Sequence, residues 1–173
     1  MKTIKLSELK KIEKRDRLRL LGLRAFLIDN PDKHDQASWA EVSESEFDPD
    51  HIDLNFTCGT TACAAGWANV LCGDRFSKEG KVSAWRADPR WHVRYVVDSN
   101  GKTHSMGDRA RNHLGISKKV AIALFDGSNT RKSVLKALKM LAEGSTDRKV
   151  IKYLTTKNPS IVTDPISLTE IQL

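Results

Sequence analysis

Residues 59–72 read Gly-Thr-Thr-Ala-Cys-Ala-Ala-Gly-Trp-Ala-Asn-Val-Leu-Cys, with no charged side chain, in a chain where 29% of residues are charged. Such a stretch belongs in an interior. The spacing predicts a short helix: Ala62, Ala65, Gly66 and Asn69 follow one another at three or four residues, leaving one face nearly free of bulk. Thr60 or Thr61 is placed to cap its first turn, and Gly73 stands where a C-cap glycine belongs. Gly66 in an exposed helix would cost about 1 kcal/mol relative to Ala, so its presence predicts that another chain segment needs the space of the missing methyl. The segment is expected to be the central helix of the fold.

Helical patterning surrounds it. Leu9, Ile12, Leu20, Leu23 and Leu27 predict one amphipathic helix over 7–28, ended by Asn30-Pro31. Residues 31–57 form an acidic connection, for which a short helix near 37–45 and pinning by Trp39, Val42, Phe47, Ile52, Leu54 and Phe56 are expected. From 81 to 105 the pattern turns to strands. Trp91, Val93, Tyr95 and Val97 alternate with His92 and Arg94, and Asn100-Gly101 suits a two-residue hairpin turn. Four helices follow: 107–114 closed by Gly115, one capped by Ser117 and ended by Asp126-Gly127, one starting at Asn129 or Thr130 and stopped by Gly144, and one capped by Thr146 or Asp147. The expected fold is α+β: a mainly helical single domain over residues 1–157, packed around the Ala/Gly-rich helix and carrying a small antiparallel hairpin sheet. Residues 158–173, with two prolines and no basic residue, are expected to be a flexible tail able to dock as a peptide.

Charge narrows the functional classes. The 173 residues hold 29 Lys+Arg and 22 Asp+Glu, a net charge of +7. No apolar run approaches the roughly 18 residues a membrane span needs, and the N-terminus has charges where a signal peptide needs its apolar segment. A cytoplasmic protein with no membrane association is the expectation. The basic excess is segregated: residues 101–157 hold thirteen basic and four acidic side chains, whereas residues 35–57 hold seven acidic and no basic ones. The acidic stretch is expected to cover the chain's own basic helices.

Three arrangements could carry chemistry. Cys58 and Cys63 lie at the start of the uncharged helix, where exposed N–H groups lower a thiol pKa. With His92 or His104 as base and Asp98 or Asn100 as orienter, they form a candidate cysteine-hydrolase site, although the papain-type C-G-[SA]-C-[WY] pattern is not matched. The same thiols read equally as small core residues. Cys58, Cys63 and Cys72 with His51 lack the paired C-x2-C knuckles of zinc sites, and no metal or other cofactor is expected. Finally, Arg17, Arg24, Arg86, Arg90, Arg94, Arg131, Lys132 and Lys136, with Arg15, Arg19 and Lys139 beside them, are candidate binding residues for an anionic partner. Trp85 and Trp91 interleave with them as base-stacking surfaces do.

The run Cys58-Gly-Thr-Thr-Ala-Cys-Ala-Ala-Gly-Trp-Ala68 resembles a C-G-T-x-A-C-x-x-G-W-A signature of small uncharacterised proteins encoded by bacteriophages and prophages. Phe47-Asp48 in the acidic loop and His113-Leu-Gly-Ile-Ser-Lys-Lys-Val-Ala-Ile-Ala-Leu-Phe125 are similar to further patterns of that group. The resemblance implies a cytosolic protein made in an infected bacterium and assigns no catalytic residue. The leading expectation is a non-enzymatic phage accessory protein that binds a host or phage macromolecule, a protein rather than a nucleic acid. The alternatives are the cysteine hydrolase and a nucleic-acid-binding protein.

Overall fold

A computed structural model of the chain describes residues 13–43, 60–79, 82–85 and 88–159, together with the single positions Ser7 and Lys10; at Ser43, 82–85 and 88–90 it describes the backbone alone. His51, Cys58, Arg86 and the 160–173 tail lie outside these residues, as do the expected anchors Phe47, Ile52, Leu54 and Phe56. Six helices are described: α1 Arg17–Asp29, α2 Ala64–Val70, α3 Met106–Leu114, α4 Lys118–Phe125, α5 Arg131–Ala142 and α6 Asp147–Lys157. With two small antiparallel sheets, the fold is α+β and mainly helical, as its patterning predicts.

Helix α2 is the centre. Every residue from Ala64 to Asn69 is buried, and the helix packs against α1, α3 and α4. A helix apolar all round survives only as a core element. Trp67 is fully buried; its indole N–H donates to the Lys33 carbonyl at 2.8 Å, and its ring lies 4.8 Å from that of Phe26 on α1. The predicted use of Gly66 is met. A Cβ there would stand 2.7 Å from the Ala62 methyl and 2.8 Å from the Trp39 carbonyl oxygen. The start of the helix differs from expectation: Thr61–Ala62 is a short strand (β2), and Cys63, not Thr60 or Thr61, is the N-cap. The backbone is extended here because Cys63 N–H donates to the Ser38 and Trp39 carbonyls and Ala62 pairs with Ala40 of β1, Ala40–Ser43.

That strand replaces the helix expected near 37–45. Val42 is fully buried, and β1 lies in a four-stranded sheet of order β2-β1-β5-β4, where β4 is Val82–Trp85 and β5 is Asp88–His92. A second sheet, β3-β6-β7, joins Arg75–Phe76, Tyr95–Val97 and Thr103–Ser105. The single alternating strand read over 91–97 is therefore two strands. The chain leaves one sheet at Val93-Arg94 and enters the other with its phase shifted, so that Val93 and Val96 are buried while Tyr95 is exposed. The hairpin loop is also longer by one residue than expected. Asp98 pairs with Lys102 through the backbone, and Ser99-Asn100-Gly101 turns the chain with Gly101 at φ +79°.

The helix expected over 7–28 is interrupted at residues 14–16. Asp16 caps α1 by accepting from Arg19 N–H, and Arg15 turns inward. Its guanidinium donates to the Ser145 carbonyl at 2.5 Å and to Asp147 Oδ1 at 2.6 Å, tying the start of α1 to the α5–α6 junction. Gly115, at φ +62°, closes α3 against the 14–16 bend: a Cβ would fall 1.9 Å from the Lys14 carbonyl oxygen. Ser117, Thr130 and Thr146 accept backbone N–H bonds as N-caps of α4, α5 and α6, as read from sequence. Asn129 instead donates to the Ala123 and Leu124 carbonyls at the end of α4.

Candidate functional site

A cleft of about 410 Å³ opens between the 36–39 segment, the first turns of α3 and one face of α4. Its walls are Trp39, Ala121, Ile122 and Phe125, and Cys63 and Gly107 lie at its base. The small residues place the indole. Gly66 lets the Trp39 carbonyl settle on α2, while at Gly107 a Cβ would stand 3.1 Å from the far edge of the Trp39 ring. Trp39 thus lies with its ring edge against Gly107 of α3 and 39% of its surface exposed. Gln36 holds the segment in place: its amide donates to the Leu124 and Asp126 carbonyls, and its Oε1 accepts from Ala64 N–H. Both charge signs line the cleft: Asp108 and Arg111, 3.7 Å apart on α3, and Lys118 and Asp126 at the two ends of α4. The combination suits an apolar side chain entering between polar shoulders.

The surroundings of Cys63 disfavour a thiolate. Its side chain is 1% exposed, and burial pushes the thiol up to about 11, against the opposing pull of the Gly66 and Ala65 N–H groups. Desolvation outweighs the helix start that made this residue a candidate. Cys63 has no imidazole partner among the described residues. His92 Nδ1 lies 3.3 Å from Ser38 Oγ and 3.7 Å from Glu41.

His104 meets the Asp98 carboxylate at 2.8 Å, so the orienter–imidazole pair read from sequence forms, with Cys63 outside it. That hydrogen bond, with N–H bonds from Lys102 and Asn100, holds Asp98 down to about 2. Nearby, the buried Asp74 carboxylate accepts two bonds from Arg109 and one from His113 at 2.7 Å. Arg109 also lies 4.0 Å from Asp98. The group pins α3 to the β3 turn and the β6–β7 hairpin. Cys72, half-buried next to it, has its thiol raised by desolvation.

The basic candidates divide. Arg24 donates to the Leu135 carbonyl, and Arg131 donates to the Leu27 and Ile28 carbonyls, so this pair clamps α1 to α5. Arg15, read as a surface cation, is buried. Arg17, Arg94, Lys132 and Lys136 are exposed; Arg17 lies on α1, Lys132 and Lys136 lie one turn apart on α5, and Arg94 lies between β5 and β6. For Arg90 only the backbone is described.

No known protein family, curated protein or solved structure matches the chain. No helix among the described residues is long and apolar enough to cross a membrane, and no group of three or more potential metal ligands occurs among them.

Sequence reasoning missed the cleft because its residues come from four separate segments. The legible signal was Gly107, a glycine in the first turn of a helix, where neither a turn nor a cap calls for one.

Proposed function

We propose that the chain is a non-enzymatic accessory protein of bacteriophage type, acting in the cytoplasm of the host bacterial cell, that holds an apolar segment of a protein partner in the cleft of Trp39, Ile122 and Phe125. The cleft carries this reading: an apolar floor, a half-exposed indole fixed by two glycines, and a rim of mixed charge. An inert Cys63 at its base favours binding over thiol chemistry. The phage assignment rests on the C-G-T-x-A-C-x-x-G-W-A run alone.

Ile122 is half-buried on the cleft wall, and contact with one aliphatic side chain is worth about 1.5–3 kcal/mol. Ile122→Glu, which puts a carboxylate into that contact, is expected to reduce recovery of a stoichiometric protein partner from phage-infected cells at least tenfold. Lys132→Glu, on exposed α5 surface, is expected to leave recovery unchanged. Failure to recover a partner, or equal recovery with Ile122→Glu, contradicts the proposal.

A further inference from the structure

A second groove, of about 660 Å³, runs between the start of α4 and the outer face of α6. One bank carries Lys118 and Lys119; the other carries Arg148 and Lys152, one helical turn apart. All four are exposed, and none has a carboxylate partner among the described residues. The one acidic residue of the groove, Asp147, is 6% exposed and faces inward to Arg15 at 2.6 Å, so it neutralises a different cation. Four unpaired like charges around one concavity repel one another and raise the local potential.

The start of α4 sharpens the assignment. Lys118 and Lys119 are its first two residues, and the first turn holds no acidic residue. Cations there oppose the helix dipole, which favours anions at an N-terminus. Val120 N–H is capped by Ser117, while the N–H groups of Lys118 and Lys119 precede the first intrahelical bonds. Ser117 and Thr155 add hydroxyls to the groove. Lys, Arg, Ser and Thr side chains with helix-start N–H groups are the donors that hold nucleic-acid phosphates. No aromatic side chain lines the groove, so it lacks the stacking platforms of single-strand binders.

We propose that the groove between the start of α4 and the outer face of α6 binds the phosphate backbone of duplex nucleic acid without regard to sequence. Lys118 stands on the rim of both this groove and the apolar cleft. A protein segment and a duplex would therefore sit side by side, which makes the molecule an adaptor between them.

The test is fluorescence anisotropy with labelled DNA duplexes of about 20 bp and two unrelated sequences, titrated between about 50 and 200 mM salt. Four phosphate contacts predict a slope of log K against log salt of about −3.6, alike for both sequences. Lys119→Glu with Arg148→Glu should weaken binding at least tenfold and flatten the slope by about 2. The milder pair Lys118→Gln with Lys152→Gln should reproduce the direction, and circular dichroism checks that each variant is folded. Lys132→Glu with Lys136→Glu, on α5, should change affinity less than twofold. The proposal is overturned by absence of binding at the lowest salt, by equal loss from the α5 pair, by tighter binding of a single strand, or by displacement of the duplex by polyglutamate at equal charge.

Discussion

Gly66→Ala is expected to lower stability by about 1–2 kcal/mol, although alanine is the better helix former by about 1 kcal/mol. The sign is decided by what the new methyl meets. Its nearest neighbours are the Ala62 methyl at 2.7 Å and the Trp39 carbonyl oxygen at 2.8 Å. Neither belongs to a flexible side chain, and both are fixed in place, because Ala62 pairs with Ala40 and the Trp39 carbonyl accepts from Cys63 N–H. Relief therefore requires the 38–40 backbone to move away from α2. Overpacking of a close-packed core costs about 1–3 kcal/mol and sometimes more, enough to outweigh the gain in propensity. At this chain length the loss corresponds to a fall in melting temperature of about 2–8 °C. Gly22→Ala supplies the opposite case. It is exposed within α1, and a Cβ there meets nothing within 4 Å, so it should stabilise by about 0.5–1 kcal/mol. Calorimetry on the two variants should give shifts of opposite sign. A rise for both would show that α2 is not in tight contact with the 38–40 segment.

The second large effect is expected at Arg15. Arg15→Met leaves the Asp147 carboxylate without its cation in a site where the two side chains are 2% and 8% exposed, and it frees the Ser145 carbonyl as well. Removing one member of a buried ion pair costs about 3–5 kcal/mol, a large part of a typical domain's stability. Arg17→Met, two residues later on an exposed position, should fall within about 0.5 kcal/mol of the unmodified chain. Replacing both partners, Arg15→Met with Asp147→Leu, should recover most of the loss, because apolar groups of similar volume tolerate such a site better than a lone charge. The remainder is the acidic first-turn residue lost from α6. Urea unfolding of the three variants separates the cases. A loss at Arg15 no larger than that at Arg17 would show that the 14–16 bend is not held by this pair.

These two positions also show what could be read from the amino-acid order and what could not. Gly66 announced a close approach because a glycine inside an uncharged Ala-rich helix has few other uses. The caps at Ser117, Thr130 and Thr146 and the stops at Gly115 and Gly144 were legible because capping is chemistry within four residues. Arg15 was not legible. On a helical wheel it is one more cation among Arg17, Arg19 and Arg24, and its burial depends on Asp147, 132 residues away. The same holds for Arg24 and Arg131, whose partners are carbonyls on the facing helix. The strand break at Val93-Arg94 was hidden because alternation continues through it; only pairing with two different sheets reveals the phase shift. At Cys63 the helix-start rule pointed toward a reactive thiol. Burial, which no local pattern encodes, overrode it. The lysines at the start of α4 were visible as a local inconsistency with the helix dipole, and such inconsistencies are where a site is worth seeking.

The α2 helix is held to be a packing element whose sulfur lies inert beneath the cleft. The most direct measurement of this is alkylation of Cys63 in the folded chain, followed by peptide mapping to separate it from Cys72 and Cys58. With the thiol pushed up to about 11 and 1% exposed, Cys63 should stay unmodified by iodoacetamide at neutral pH for hours, while the same residue in the urea-unfolded chain is labelled at the ordinary rate of a thiol with pKa about 8.5. Labelling of Cys63 in the folded chain faster than in the unfolded one, with a rate that titrates below neutrality, would instead show a nucleophile at the base of the cleft and contradict the packing role.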